Sequence, residues 1–327
     1  MSRFRFIAAE KANYSVSVMC RVLRVSRSGF YAWAIRPPSA RRRDDERLLG
    51  EIQEAFTDSR RTYGAPRIHA ALARTGVRVS RKRIARLMAT AGIEGVSRRR
   101  RRHHLTKSDP RTPPAPDRVG RRFSADGPNA LWLADITYLP THEGWLYLAV
   151  VADMWSRMIV GWSMREDLTA PLVVDALQMA RARRRPGAGG IVHTDRGSQC
   201  GSLIYGQALT DSGLLASMGG RGCAYDNAPC ESAISTIKLE LKRIYGTRPF
   251  AGRHQARLAV FDYIEAFYNR VRLHSALDYL SPAEFEEAHW PVEMTRRGRA
   301  TGPTPAAWTG LRPDHITTGP TTELIIG

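Results

Sequence analysis

The sequence predicts an α/β protein in which a mixed sheet with flanking helices follows a set of all-α units. Three observations predict it. Between residues 131 and 164 three strand-like segments follow one another across short turns. Between 170 and 245 helical and short apolar segments alternate, giving helix, strand, helix, strand, helix. Before residue 96 apolar residues recur at helical spacing behind serines placed to cap helices.

The chain has 327 residues, enough for two or three domains, and its 43% hydrophobic content can fill a core. It has no apolar run of the roughly 18 residues that a membrane helix needs. Its first residues also lack the apolar stretch of a signal peptide. Cys20, Cys200, Cys223 and Cys230 form no Cys-x-x-Cys pair, so free thiols in a reducing cytoplasm are expected, without a zinc site. Charge is divided unevenly. Residues 1–122 carry 30 Lys/Arg against 10 Asp/Glu, and the remainder 20 against 21. The N-terminal part is therefore the polyanion-binding part, although charge alone does not choose between DNA, RNA and acidic lipid.

Taken in order, residues 1–40 form a first unit. Residues 14–33 read as a helix-turn-helix, with Ser15 capping a helix through Leu23 and Ser26 capping a second one. Arg27 and the aromatics of that second helix would face a DNA groove. Residues 41–95 form a second helical DNA-binding unit. Its first helix runs over 44–56 with Leu48, Leu49, Ile52 and Phe56 inward, and another opens at Pro66. Ser80 then caps a helix whose Arg81, Lys82, Arg83 and Arg86 make a basic recognition face. Residues 96–122 read as a basic, proline-rich linker. Its run Arg98, Arg99, Arg100, Arg101 and Arg102 would neutralise phosphates.

Residues 123–290 read as the α/β core, and 291–327 as a disordered tail. Strands are expected over 131–139, 145–153 and 158–164, with a turn at 142–144. A helix follows over 170–184, then a strand ending at Asp195, a helix, a strand over 214–218 and a helix over 227–245. A long helix over 253–270 would bury Leu258, Phe261, Ile264 and Phe267. Asn269, Arg270, Arg272 and His274 at its end would lie on DNA.

Three acids stand out. Asp135 is the lone charge in its apolar strand, and a buried carboxylate is costly without a partner or metal. Asp195 ends a strand, and Glu231 follows after 35 intervening residues in the first turns of a helix. Lys238, seven residues on, shares the face of Glu231. Carboxylates converging from separate elements suit Mg2+ or Mn2+ rather than zinc. Two such ions would serve an in-line phosphoryl displacement. Asp153 reads as structural, and His193 as core packing or support for Asp195.

These segments resemble a known family. Trp132-Leu-Ala-Asp135-Ile-Thr-Tyr, His193-Thr-Asp195-Arg-Gly-Ser-Gln and Tyr225-Asp-Asn-Ala-Pro-Cys-Glu231-Ser carry the match, and Lys238 and the segment 268–277 add to it. The chain resembles the DDE transposases of bacterial insertion sequences, the second-reading-frame type of the IS-three family. Cys200, where the family often has an aromatic, and Cys230 depart from its pattern. The resemblance implies a ribonuclease H-like core akin to retroviral integrases, with Asp135, Asp195 and Glu231 holding two divalent ions. It implies binding to the element's terminal repeats, strand cleavage and strand transfer through a circular intermediate, and multimers on DNA. It also implies a partner from an upstream reading frame, whose leucine zipper is not visible here. The expected location is the bacterial cytoplasm, on the nucleoid when bound. The alternative is an inactive DNA-binding regulator descended from such an enzyme, but the complete acidic triad shows no decay.

Overall fold

The structure is a computed structural model. It describes residues 3–37, 39–97, 115–120, 122–195, 199–219 and 228–290, with side chains from 232 onward in the last segment. Helices α1 (Arg3–Glu10), α2 (Val16–Val22) and α3 (Arg27–Ile35) close around Ile7, Met19, Cys20 and Phe30. The sequence pattern did not reveal α1, because Ile7 is its one fully buried residue and shows no period. Ser15 makes no side-chain cap, and α2 stops at Val22. The Ser26 hydroxyl accepts from the Gly29 amide at 2.9 Å, as expected. The aromatics of α3 do not all face outward. Phe30 is buried and Trp33 packs on Phe4 at 5.7 Å, which leaves Tyr31 as the exposed ring.

Helices α4 (Ala40–Asp58), α5 (Ala65–Arg74) and α6 (Arg81–Thr90) follow. Ser39 caps α4 by accepting from the Arg42 amide at 3.2 Å, so the helix starts ahead of the expected Asp44. Leu48, Ile52, Ile68 and Ile84 belong to a cluster that continues into the C-terminal part of the chain. The Tyr63 hydroxyl donates to the Val271 carbonyl at 3.2 Å and accepts from the Leu273 amide at 2.7 Å. Arg67 donates to the Leu273 carbonyl at 2.9 Å, and Arg60 and Arg74 pair with Asp262 and Glu284. This helical unit is seated on the core, not held out as an arm.

Part of the expected linker is also packed. The Arg118 amide donates to Ser217 at 2.9 Å, and Val119 is buried with Leu131, Leu133 and Met154. Residues 98–114, with the arginine run, lie outside the described residues.

The sheet has the order β3-β2-β1-β4-β5. Strands β1 (Leu131–Thr141), β2 (Gly144–Asp153) and β3 (Ile159–Arg165) form the antiparallel meander, while β4 (Ile191–Thr194) and β5 (Leu215–Met218) run parallel to β1. Gly144 turns the first hairpin at φ +104°, a conformation that suits glycine. Helices α7 (Ala170–Arg184) and α8 (Leu203–Thr210) cover the face of Trp132, Ala134, Ala149 and Val151. Gly161 lets α7 approach closely, since a Cβ there would sit 2.2 Å from the Ala176 carbonyl oxygen. Helices α9 (Ala228–Tyr245) and α10 (Arg253–Phe261) cover the other face, with Leu139, Leu148 and Val150.

The expected long helix over 253–270 changes character midway. α10 gives way to a π-helical stretch, Asp262–Tyr268. Leu258 and Phe261 are 57% and 43% exposed, while Ala256, Val260, Tyr263, Ile264 and Phe267 are buried. A 3-10 turn, Ser275–Leu277, leads to α11 (Pro282–His289), which opens with a capping box between Ser281 and Glu284. The tail 291–327 lies outside the described residues. Among the described residues no helix is long and apolar enough to cross a membrane.

Candidate active site

The register of β1 with β4 brings two of the three acids together. Ala134 pairs with Thr194, the last residue of β4, so Asp135 and Asp195 are next in line on neighbouring strands. Such strands stand about 4.8 Å apart. Side chains alternate along β1. Asp135 therefore shares a face with Leu139, and its cross-strand partner Val150 lies in the core cluster beneath α9. β1 can carry a charge here because β4 ends alongside it and leaves the edge open. Both acids are partly buried, and Asp135 Oδ1 accepts from the Ile136 amide at 2.7 Å.

Helix α9 supplies the third position. Lys238 Nζ stands 4.5 Å from the centroid of the Tyr138 ring. Beyond the helix, Phe250 bridges Thr141. α9 therefore runs in the same sense as β1, with its first turn toward Asp135. From Lys238 back to Glu231 is about 10.5 Å of helix, and from Tyr138 back to Asp135 about 10 Å of strand. The Glu231 backbone thus reaches the level of Asp135, while its side chain lies outside those described. Burial lowers the Lys238 ammonium's pKa, and the Asp135 charge opposes that shift. Glu240 anchors the same helix. It is buried and accepts from Arg272 Nε and Nη2 at 2.8 Å each and from the Tyr263 hydroxyl at 2.8 Å.

The surroundings are structural. Cys200 is buried with Tyr205 and Leu209, and burial with the nearby Asp195 and Asp135 charges pushes its thiol well up. His193 is buried, with Nδ1 2.9 Å from Ser217 Oγ and its ring 6.0 Å from Phe123. Asp153, at the far end of β2, accepts from the Asn129 and Trp155 amides at 2.9 Å and lies beside Arg184. Arg196 and Gly197 lie outside the described residues.

Comparison with known proteins agrees with this architecture. An HTH-like domain model matches residues 43–101, and integrase core domain models match 125–223 and 235–289. Transposase InsF for insertion sequence IS3A of Escherichia coli (strain K12) is 42% identical over 292 residues, covering 87% of this chain and 98% of the relative. The chain belongs to the IS3-family transposases. The insertion element IS600 uncharacterized 31 kDa protein of Shigella sonnei is 43% identical over 271 residues, covering 83% of this transposase and 98% of that protein. Similar solved structures include a simian T-cell lymphotropic virus intasome in complex with PP2A regulatory subunit B56 gamma, at 16% identity and TM-score 0.44, covering 70% of this chain and 76% of that one. The HTLV-2 integrase catalytic core domain in complex with magnesium is 17% identical at TM-score 0.38, covering 49% and 97%.

The transposase's basic residues divide into two sets. On α6, Arg81 and Lys82 are exposed. Arg83 instead donates to Asp45 at 2.8 Å and Asp44 at 2.7 Å, and Arg86 to Asp45 at 2.8 Å. Arg47 and Arg83 lower the Asp44 pKa, and Arg86 and Arg83 that of Asp45. Half of the expected recognition face is therefore a tie between α6 and α4. Arg27 is exposed at the start of α3. Asn269 and Arg272, expected on DNA, are buried instead. Asn269 exchanges hydrogen bonds with the Ile159 backbone at 2.9 and 3.0 Å.

Among the described residues no three His, Cys, Asp or Glu side chains form a metal-holding group. Asp135 and Asp195 nevertheless fit such a role, since they place hard oxygen donors on neighbouring strands.

Proposed function

We propose that this transposase binds the ends of its insertion sequence and both cleaves and transfers DNA strands at one site made by Asp135, Asp195 and Glu231. The observation that supports it is the β1–β4 register, by which Asp135 and Asp195 each follow the paired residues Ala134 and Thr194 where β4 ends. Two Mg2+ or Mn2+ ions would activate the attacking oxygen and stabilise the departing one. Asp135, Asp195 and Glu231 would hold these ions. Water attacks the phosphodiester at the element end, the P–O3′ bond breaks, and a 3′-hydroxyl is left. That hydroxyl then attacks a phosphorus in another strand, so that a new P–O3′ bond forms as that strand's own P–O3′ bond breaks, and the departing 3′-oxygen takes up a proton in place of the one the attacking hydroxyl loses. Lys238 holds a phosphate near the cleaved end, and its contact with Tyr138 restrains the ammonium.

Arg27, Arg81, Lys82 and the run Arg98–Arg102 take backbone phosphates of the end, which position the protein without reading sequence. Bringing two ends together requires a multimer, and an upstream-frame protein would join it.

Asp135→Asn tests the reading. Binding to end DNA should stay near wild type, while Mg2+-dependent cleavage should fall more than about a hundredfold, the scale of several kcal/mol of charge stabilisation. Cleavage at the wild-type rate would defeat the assignment.

A further inference from the structure

The hairpin of β1 and β2 carries two large rings that no core explains. Tyr138 is 50% exposed and Trp145 is 49% exposed. They meet edge to face with centroids 4.8 Å apart. Tyr138 pairs with Tyr147, and Pro140 with Trp145, so the two rings are diagonal neighbours on one face of the hairpin.

Scattered exposed aromatics need no explanation, but this pair has a particular position. Tyr138 lies three residues from Asp135 on the same strand, about 10 Å away and on the opposite face of the sheet by alternation, so the two positions meet around the open strand edge. The β4 partner of β1 ends opposite Ala134, so the rings stand past the point where the sheet edge opens. Lys238 places its ammonium over one of them. A cation beside two accessible rings matches the two halves of a nucleotide, a phosphate and a flat base. Bases inside a duplex are covered on both faces, so only an unpaired base offers a free one. With about 3.4 Å of rise per nucleotide along a strand, 10 Å spans roughly three nucleotides.

We propose that Tyr138 and Trp145 form a stacking ledge for one unpaired base within about three nucleotides of the scissile phosphate, with Lys238 on that nucleotide's phosphate. This rests on the assignment of cleavage to Asp135. Trp145 presents the stacking face, and Tyr138 positions Trp145 and Lys238. The ledge favours opened DNA at the cleavage point without reading its sequence, because every base has a π-face.

The test uses the full chain and end DNA in Mg2+, with wild type, Trp145→Ala and Trp145→Phe. A parallel substrate series removes one base at a time around the cleaved bond. Trp145→Ala should cut about 5–150-fold more slowly, the range of one lost base stack, with an unchanged melting temperature, and Trp145→Phe should stay near wild type. At one position, removing the base should change the wild-type rate and leave the Trp145→Ala rate unaltered, because the base has no ledge to lose. If Trp145→Ala melts early, Trp145→Leu replaces it with the same expectations. Cutting by Trp145→Ala at the wild-type rate, or additive effects at every position, would overturn the ledge alone. Wild type that cuts no end DNA would remove the ledge and the proposed function together.

Discussion

His274 shows how a single side chain ties stability to pH. It lies beside the Arg272–Glu240 pair, with Nε2 3.2 Å from Arg272 Nη1. Burial, then the Arg272 charge, hold its pKa well below the usual imidazole range. The unfolded chain takes up a proton on this ring below about pH 6.5, and the native chain does not. Its contribution to stability is therefore complete above that pH and is lost as pH falls toward the folded value. Urea midpoints should drop between pH 7.5 and 5.5, and His274→Gln should flatten that drop; an equal drop in both proteins would contradict it. The sequence made Asp135 legible, because a lone charge in an apolar strand needs a reason. It hid Glu240, which is 32 positions from Arg272. With that partner out of view, Arg272 reads as a basic residue free for DNA.

At the scale of elements, α6 shows what periodicity reveals and what it cannot. Ser80 accepts from the Arg83 amide at 3.3 Å, and Ile84, Leu87 and Met88 are buried, so the cap and apolar face were both readable. Which arginines remain available depends on Asp44 and Asp45 of α4, whose packing against α6 the period does not reveal. The salt dependence of binding separates the two sets. Lys82→Ala should weaken binding and reduce the salt slope by about one unit. Arg83→Ala should lower stability and leave the slope unchanged. Equal slope changes in both would show that the ties to α4 open on DNA. In α10 the helical reading failed for a definable reason. It carried a 3.6-residue period through Asp262–Tyr268, where wider π turns shift which residues face inward.

At the scale of the molecule, the mixed sheet with flanking helices was legible and the seating of the helical unit was not. A three-strand meander followed by alternating helices and strands constrains a mixed sheet to few arrangements. Tyr63, in contrast, meets Val271 and Leu273 more than 200 positions away, and such contacts leave no periodic trace. That seating joins the basic helices to the segment that anchors α9, the helix bearing Glu231 and Lys238. Tyr63→Phe strips partners from the Leu273 amide and the Val271 carbonyl. Urea unfolding should show a loss of about 1–3 kcal/mol; an unchanged midpoint would mean that these bonds do not hold the unit down.

The central claim is that carboxylates from β1, from the end of β4 and from the first turn of α9 meet around a pair of ions. Anomalous scattering from crystals of the protein with element-end DNA and Mn2+ tests it most directly. The account predicts two manganese peaks roughly 3.5–4 Å apart, shared by Asp135 and Asp195, with Glu231 on one of them. Manganese bound elsewhere, with Asp135 and Asp195 touching no ion in the DNA complex, would contradict it.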